Sequence, residues 1–220
     1  MKNMIGKKAP EWTARTYISG ESKNVTSEDM KGKWYLMYWY PFDFTFICPT
    51  EIVGFEQLKD DFADDDITVI GCSTDSWHSH NAWFKDETIF PGGINHNVIA
   101  DCTQDITRDF GMRNDALGCS FRGTVLVDDE GKVQMWSINN MDAGRSPAEV
   151  LRTAQATMAG GRWYGPVDED ASQAQREIIY VDGDRNTEQF DDYFRLDLKT
   201  NLTWNRPETT HELGIDFVNI

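Results

Sequence analysis

The stretch YPFDFTFICPTEI, residues 40–52, sets one thiol, Cys48, among aromatic side chains and directly before Pro49. A cysteine in such a place is either a small hydrophobe or a nucleophile, and its neighbours decide which. Proline is tolerated in the first turn of a helix, so Pro49 marks a helix that starts at Cys48. The unpaired N–H groups and partial positive charge of a helix start favour a thiolate over a thiol. Thr45 lies about one turn away if the segment coils, which brings its hydroxyl into the neighbourhood of the sulfur. Pro41 and the side chains of Phe42, Phe44, Phe46 and Ile47 are expected to shield the site from water. Burial alone disfavours a thiolate, so the site demands a cation, an arginine from elsewhere in the chain.

Other chemistries find less support. The four cysteines, at 48, 72, 102 and 119, contain no CxxC pair, and His78, His80, His96 and His211 form neither HExxH nor a cysteine–histidine cluster. No metal and no cofactor are expected, and the cysteines are expected to be reduced thiols. A formal net charge of −16 opposes binding to nucleic acid or to an anionic membrane. No apolar run approaches the roughly 18 residues that cross a bilayer. The N-terminal MKNMIGKKAPEW lacks an apolar signal core, and a cytoplasmic location is expected.

The elements that position the thiol follow from periodicity. KWYLMYWY (33–40) and ITVIGCS (67–73) read as strands buried on both faces. Residues 49–62 place Ile52, Phe55, Leu58 and Phe62 at helical spacing. DSWHSHNAWFKDE reads as a cap and helix, HNVIAD (96–101) as a short strand, and TQDITRDFGM as a short helix. Residues 123–138 form a hairpin turned at Asp129–Glu130–Gly131. SPAEVLRTAQATM opens a last helix with a capping box, its core face at Val150, Leu151, Ala154 and Met158. This order specifies an α/β fold, a central mixed sheet flanked by helices, over residues 1–165. Residues 166–220 differ in character: thirteen acids and five bases give −8, half the net charge. They read as an acidic C-terminal extension that wraps the domain or a neighbouring subunit.

The pattern PxxxTxxCP made by Pro41, Thr45, Cys48 and Pro49 resembles the peroxidatic-cysteine motif of the peroxiredoxins, in particular the alkyl hydroperoxide reductase branch and the typical two-cysteine enzymes. The resemblance extends through VIGCSTDSWHSHNAWF (69–84), VIADCTQDITRDFGM (98–112), SFRGTVLVDDEGKV (120–133) and NNMDAGRSPAEVLRTAQA (139–156). It implies a thioredoxin-like fold and reduction of hydrogen peroxide and organic hydroperoxides. Cys48 matches the cysteine that peroxide oxidises to a sulfenic acid, and Thr45 and Pro41 match the other motif positions, with the threonine hydroxyl holding the peroxide. Arg122 matches the arginine that supports thiolate and peroxide, and Glu51 with Arg145 matches a carboxylate–arginine pair that positions it. The implied partners are a small-molecule peroxide, a thiol reductant (a thioredoxin-like protein or a low-molecular-weight thiol) and further copies of the chain, as a homodimer or a decamer.

One departure stands out. In the two-cysteine branch a resolving cysteine follows the last helix, and here no cysteine follows Cys119. Either Cys48 works alone with an external thiol, or another cysteine resolves it. Cys119 and Cys102 are the candidates for that role, and Cys72 is expected to be core filler. PGGIN (91–95) matches half of the GGLG segment associated with sensitivity to overoxidation. The alternative functions are a non-enzymatic peroxide sensor or a holdase chaperone on the same scaffold. A cysteine hydrolase is disfavoured, since no cysteine–histidine pairing is suggested.

Overall fold

The computed structural model describes residues 4–159 and, further on, the backbone of four short or paired strands. In chain order the elements are β1 (Thr13–Ile18), β2 (Glu21–Thr26), β3 (Trp34–Trp39), α1 (Cys48–Gln57), α2 (Lys59–Asp64), β4 (Ile67–Ser73), α3 (Trp77–Trp83), β5 (Asn97–Ala100), α4 (Asp105–Asp109), β6 (Arg113–Asn114), β7 (Cys119–Ser120), β8 (Arg122–Val127), β9 (Val133–Asn139) and α5 (Pro147–Ala159). Seven of the strands form one mixed sheet in the order β2-β1-β5-β4-β3-β8-β9. β3, β4 and β5 run parallel, while β8 and β1 pair antiparallel on either side of them. The expected mixed sheet flanked by helices is present.

The central strand β3 explains the architecture. Its residues alternate between two buried layers, which is why the run is apolar throughout rather than every second position. Tyr35, Met37 and Trp39 join Trp12, Ile70, Cys72, Ile99, Phe110, Val125 and Val127 in one core cluster. On the opposite face Tyr38 stacks on Phe55 of α1 at 4.1 Å, and Ile52, Phe55 and Phe62 are fully buried. Each such apolar side chain contributes about 1.5–3 kcal/mol by leaving water. This packing fixes α1, and with it Cys48, against the carboxyl end of β3.

One expectation gives way to the structure, and one hairpin was not foreseen. The single helix expected over 49–62 is broken at Leu58, whose φ of −99° and ψ of 5° leave the helical region; α2 then restarts so that Phe62 still faces the core. The N-terminal hairpin β1–β2 had no periodic signal, because β2 is the sheet's edge strand and Glu21, Ser22, Lys23 and Asn24 are all exposed. Its turn is nonetheless marked by Ser19 and Gly20, both at positive φ. The Gly92–Gly93 pair of PGGIN also sits at positive φ in a turn, with the Gly92 N–H donated to Glu87.

α1 is tied to the segment before β5 by Glu56. Its carboxylate accepts the backbone N–H groups of Asn95 and His96, the His96 ring Nδ1 at 2.7 Å and Lys59 Nζ at 2.5 Å. The far ring nitrogen of His96 lies 2.8 Å from the Tyr38 hydroxyl. Burial pushes the Glu56 carboxyl up, but these bonds outweigh it and hold the group well below the usual carboxylate range. A depressed folded pKa stabilises the fold above the unfolded value of about 4.3, and that contribution fades as the pH falls below it. Glu56→Gln is therefore expected to cost about 1–3 kcal/mol near neutral pH. The difference in melting temperature from wild type should shrink below about pH 4; an unchanged difference there contradicts this account.

The chain divides into two compact units, Met1–Thr157 and Met158–Ile220. In the second, Trp163–Tyr164 pairs with Glu188–Gln189, and Asp197–Arg206 pairs antiparallel with Thr209–Val218. The expectation that 166–220 wraps the domain or a neighbour falls otherwise on residues outside those described.

Candidate active site

Cys48 is the first residue of α1, with Pro49 following it inside the first turn. Cys48 is 1% exposed, and Arg122 Nη1 stands 3.6 Å from its sulfur. Arg122 comes from the start of β8, 74 residues along the chain. The sheet makes this approach possible, because β8 pairs with β3 and α1 follows the end of β3.

Arg122 is itself held. Its Nη1 donates to Glu51 Oε2 at 2.6 Å, and its Nε donates to the Met141 carbonyl at 2.5 Å. Glu51, one turn into α1 and 1% exposed, faces a second guanidinium. Arg145 donates its backbone N–H and its Nε to Glu51 Oε1 at 2.6 and 3.2 Å, and its Nη2 to Oε2 at 3.0 Å. The remaining Arg145 donors go to the carbonyls of Trp39 and Gly123 and to the Thr124 hydroxyl, and its guanidinium lies 5.5 Å over the Tyr38 ring. One carboxylate thus serves two buried arginines, leaving a net positive charge beside the sulfur. Pairs this deep need further hydrogen bonds to offset their desolvation, and here the carbonyls of Met141, Trp39 and Gly123 supply them.

The loop before Cys48 differs from its expected form. Residues 41–47 do not coil: Phe44 has φ 56°, in the left-handed region, and helical geometry begins at Ile47. Pro41 and Asp43 turn inward, while Phe42, Phe44, Phe46 and Ile47 turn outward, with Phe46 98% exposed. The phenylalanines do not shield the thiol; Cys48 is buried while they face outward. The inversion has a physical cause, since Asp43 finds buried partners in His80 Nδ1 at 2.8 Å and the Tyr40 hydroxyl at 2.9 Å. The Thr45 hydroxyl donates to the Phe42 carbonyl at 3.0 Å.

The other thiols occupy different surroundings. Cys72 is fully buried in β4, and burial and the Asp101 charge push its thiol well up. Cys119 on β7 is buried, its sulfur 4.0 Å from that of Met141, and burial, with the Asp75 and Cys48 charges, pushes its thiol up. Cys102 is exposed and donates to the Asp75 carbonyl at 3.4 Å. No disulfide joins the four. Sequence reasoning missed Asp43 and His80, although a lone acid inside YPFDFTF was a visible signal.

A buried cysteine at a helix start, under an arginine held by a carboxylate, on a mixed sheet covered by helices, is the arrangement of a thiol-based redox enzyme. Residues 5–135 match the model of the AhpC/TSA family. The chain is 37% identical over 158 residues to a thioredoxin peroxidase of Echinococcus granulosus, covering 71% of this chain and 82% of that protein. It is 39% identical over 160 residues to the peroxiredoxin tpx1 of Schizosaccharomyces pombe, with the same coverage. Among solved structures, AhpC of Enterococcus faecalis superposes with a TM-score of 0.69 at 31% identity, over 71% of this chain and 93% of that one. The reduced 2-Cys peroxiredoxin of Plasmodium vivax gives 0.67 at 36% identity, over 71% and 83%. The chain belongs to the AhpC/TSA family and is a peroxiredoxin, a thiol-dependent peroxidase with a thioredoxin-like fold.

Proposed function

We propose that Cys48 reduces hydrogen peroxide and organic hydroperoxides in a one-cysteine cycle completed by an external thiol. The observation that carries this reading is the Arg122 guanidinium at 3.6 Å from the Cys48 sulfur, a cation placed where the thiolate and the departing oxygen both need one. The thiolate attacks one peroxide oxygen, a sulfur–oxygen bond forms and the O–O bond breaks. The leaving oxygen takes up a proton as water or an alcohol, and Cys48 is left as a sulfenic acid. An external thiol then attacks that sulfur and expels water, forming a mixed disulfide. A second thiol releases Cys48 and carries off the disulfide. Arg122 stabilises the charge throughout, Glu51 and Arg145 keep Arg122 in register, and Thr45, on the loop that Pro41 begins, turns its hydroxyl to the peroxide.

The absence of a cysteine after Cys119 and the burial of Cys72 and Cys119 support an external reductant, either a thioredoxin-like protein or a low-molecular-weight thiol. Intact mass after one equivalent of peroxide tests it. A gain of about 16 Da marks the sulfenic acid expected here, whereas a loss of about 2 Da marks a disulfide and assigns Cys102 or Cys119 as resolving. Steady-state turnover with several thiols separates the enzyme from a sensor or holdase, for which Cys48 would oxidise without turnover. Homo-oligomers, a dimer or a ring of dimers, are proposed from the outward-facing Phe42, Phe44 and Phe46 beside the site, an apolar group that a second copy would cover. Light scattering reads the number of copies.

A further inference from the structure

Beyond the arginine–carboxylate set lies a second buried network that touches neither the Cys48 sulfur nor Arg122. Asp43 Oδ1 accepts the Tyr40 hydroxyl, and Asp43 Oδ2 faces His80 Nδ1. The other His80 nitrogen lies 3.3 Å from the Ile99 carbonyl, and the ring is fully buried. Both ring nitrogens therefore have a polar partner inside the fold. Asp43 donates its backbone N–H to Asp75 Oδ2 at 2.9 Å, and that oxygen also accepts the Ser73 hydroxyl at 2.8 Å. Burial and the Asp43 charge push the Asp75 carboxyl up. Burial, then Asp43, pushes the Tyr40 hydroxyl well up, which keeps it a donor.

The network joins the end of β3, the end of β4, α3 and β5 on one residue of the loop that precedes Cys48. The next residue, Phe44, is the one at φ 56°, a conformation that costs a side chain with a Cβ about 1 kcal/mol or more. Its ring packs on Trp83 at 5.5 Å, and Trp83 lies three residues after His80 on the same helix. α3 therefore grips two successive loop residues, one by a buried hydrogen bond and one by ring contact. A left-handed phenylalanine persists only when its surroundings hold it, and this grip is what the structure offers.

We propose that Asp43 and His80 are positioning residues, which fix the Pro41–Ile47 loop so that the Thr45 hydroxyl and the Cys48 N–H meet a peroxide in attacking geometry. The inference rests on the peroxidase reading above. It separates two tasks: Arg122 and Glu51 provide charge at the sulfur, and the Asp43–His80 pair provides the shape of the pocket around it. Loss of the pair should therefore slow the reaction with peroxide while leaving the sulfur's reactivity towards a small neutral alkylating agent nearly intact. A general loosening of the fold would instead speed alkylation of a buried thiol.

The test measures two rates on full-length protein, oxidation of Cys48 by hydrogen peroxide in stopped flow and alkylation of Cys48 by iodoacetamide. Asp43→Asn and His80→Gln are expected to slow oxidation by about 30–100-fold, since a misplacement near 1 Å has that effect, with alkylation within about threefold of wild type. Should either variant fail to fold, Phe44→Gly, which frees the same loop without disturbing a buried charge, is expected to show the same split. Wild-type oxidation rates in the folded variants would overturn the positioning role, and so would parallel changes in both rates. Wild-type Cys48 that does not react with peroxide overturns the peroxidase reading, and this inference with it.

Discussion

Cys48→Ser is expected to lower peroxide consumption by at least about 10³-fold, the scale on which removal of a covalent nucleophile acts. A serine hydroxyl cannot take up the peroxide oxygen as sulfur does, and no other described cysteine is placed to substitute. Cys72 and Cys119 are buried thiols pushed towards the protonated form. Cys102 gives its S–H to a carbonyl. The substitution is small in a closely packed place, so the melting temperature should move by only a few degrees, for a cost of about 1 kcal/mol. A Cys48→Ser protein that is folded and still consumes peroxide at the wild-type rate would refute the central assignment.

The second large effect concerns Arg122. Arg122→Met keeps much of the side chain's volume but removes the cation and the Nη1–Sγ contact. The second-order rate of Cys48 oxidation is expected to fall by about 10²–10³-fold, the usual loss when one charge-stabilising donor is removed. Stability should suffer less, because Glu51 keeps Arg145 as a partner through three hydrogen bonds. Glu51→Gln reverses the balance. It leaves two nearly inaccessible guanidinium groups without their carboxylate, a fault that costs about 3–5 kcal/mol. Chemical denaturation of both variants, alongside stopped-flow oxidation, distinguishes a charge that acts on the sulfur from one that holds the site together. Equal losses of stability would mean that Arg122 and Glu51 act only as a structural pair.

These expectations join what periodicity and local chemistry reveal to what long-range packing adds. β3, β4 and the β8–β9 hairpin were legible because strands buried on both faces leave unbroken apolar runs, and because Gly131 marks the turn. The α1 start was legible because proline enters a helix only in its first turn. β2 was not, because an edge strand with exposed polar residues has no pattern to read. The break at Leu58 also escaped, since Ile52, Phe55 and Phe62 keep a helical rhythm across it.

The candidate site divides the same way. The sequence by itself determined that Cys48 begins a helix and that its sulfur, once buried, needs a cation. The family motifs named Arg122, Glu51 and Arg145 as the residues to look for. Only the tertiary structure decided that Arg122 lies 3.6 Å from the sulfur across 74 residues of chain, and that Glu51 meets Arg145 across 94. It also decided the orientation of YPFDFTF. The aromatic side chains were expected to shield the thiol, yet Phe46 is bare and Asp43, for which nothing was expected, is buried. The physical reason is that a buried carboxylate is tolerated wherever a polar partner waits for it: Tyr40 is three residues away in the chain, and His80 is brought to Asp43 by α3 from 37 residues on.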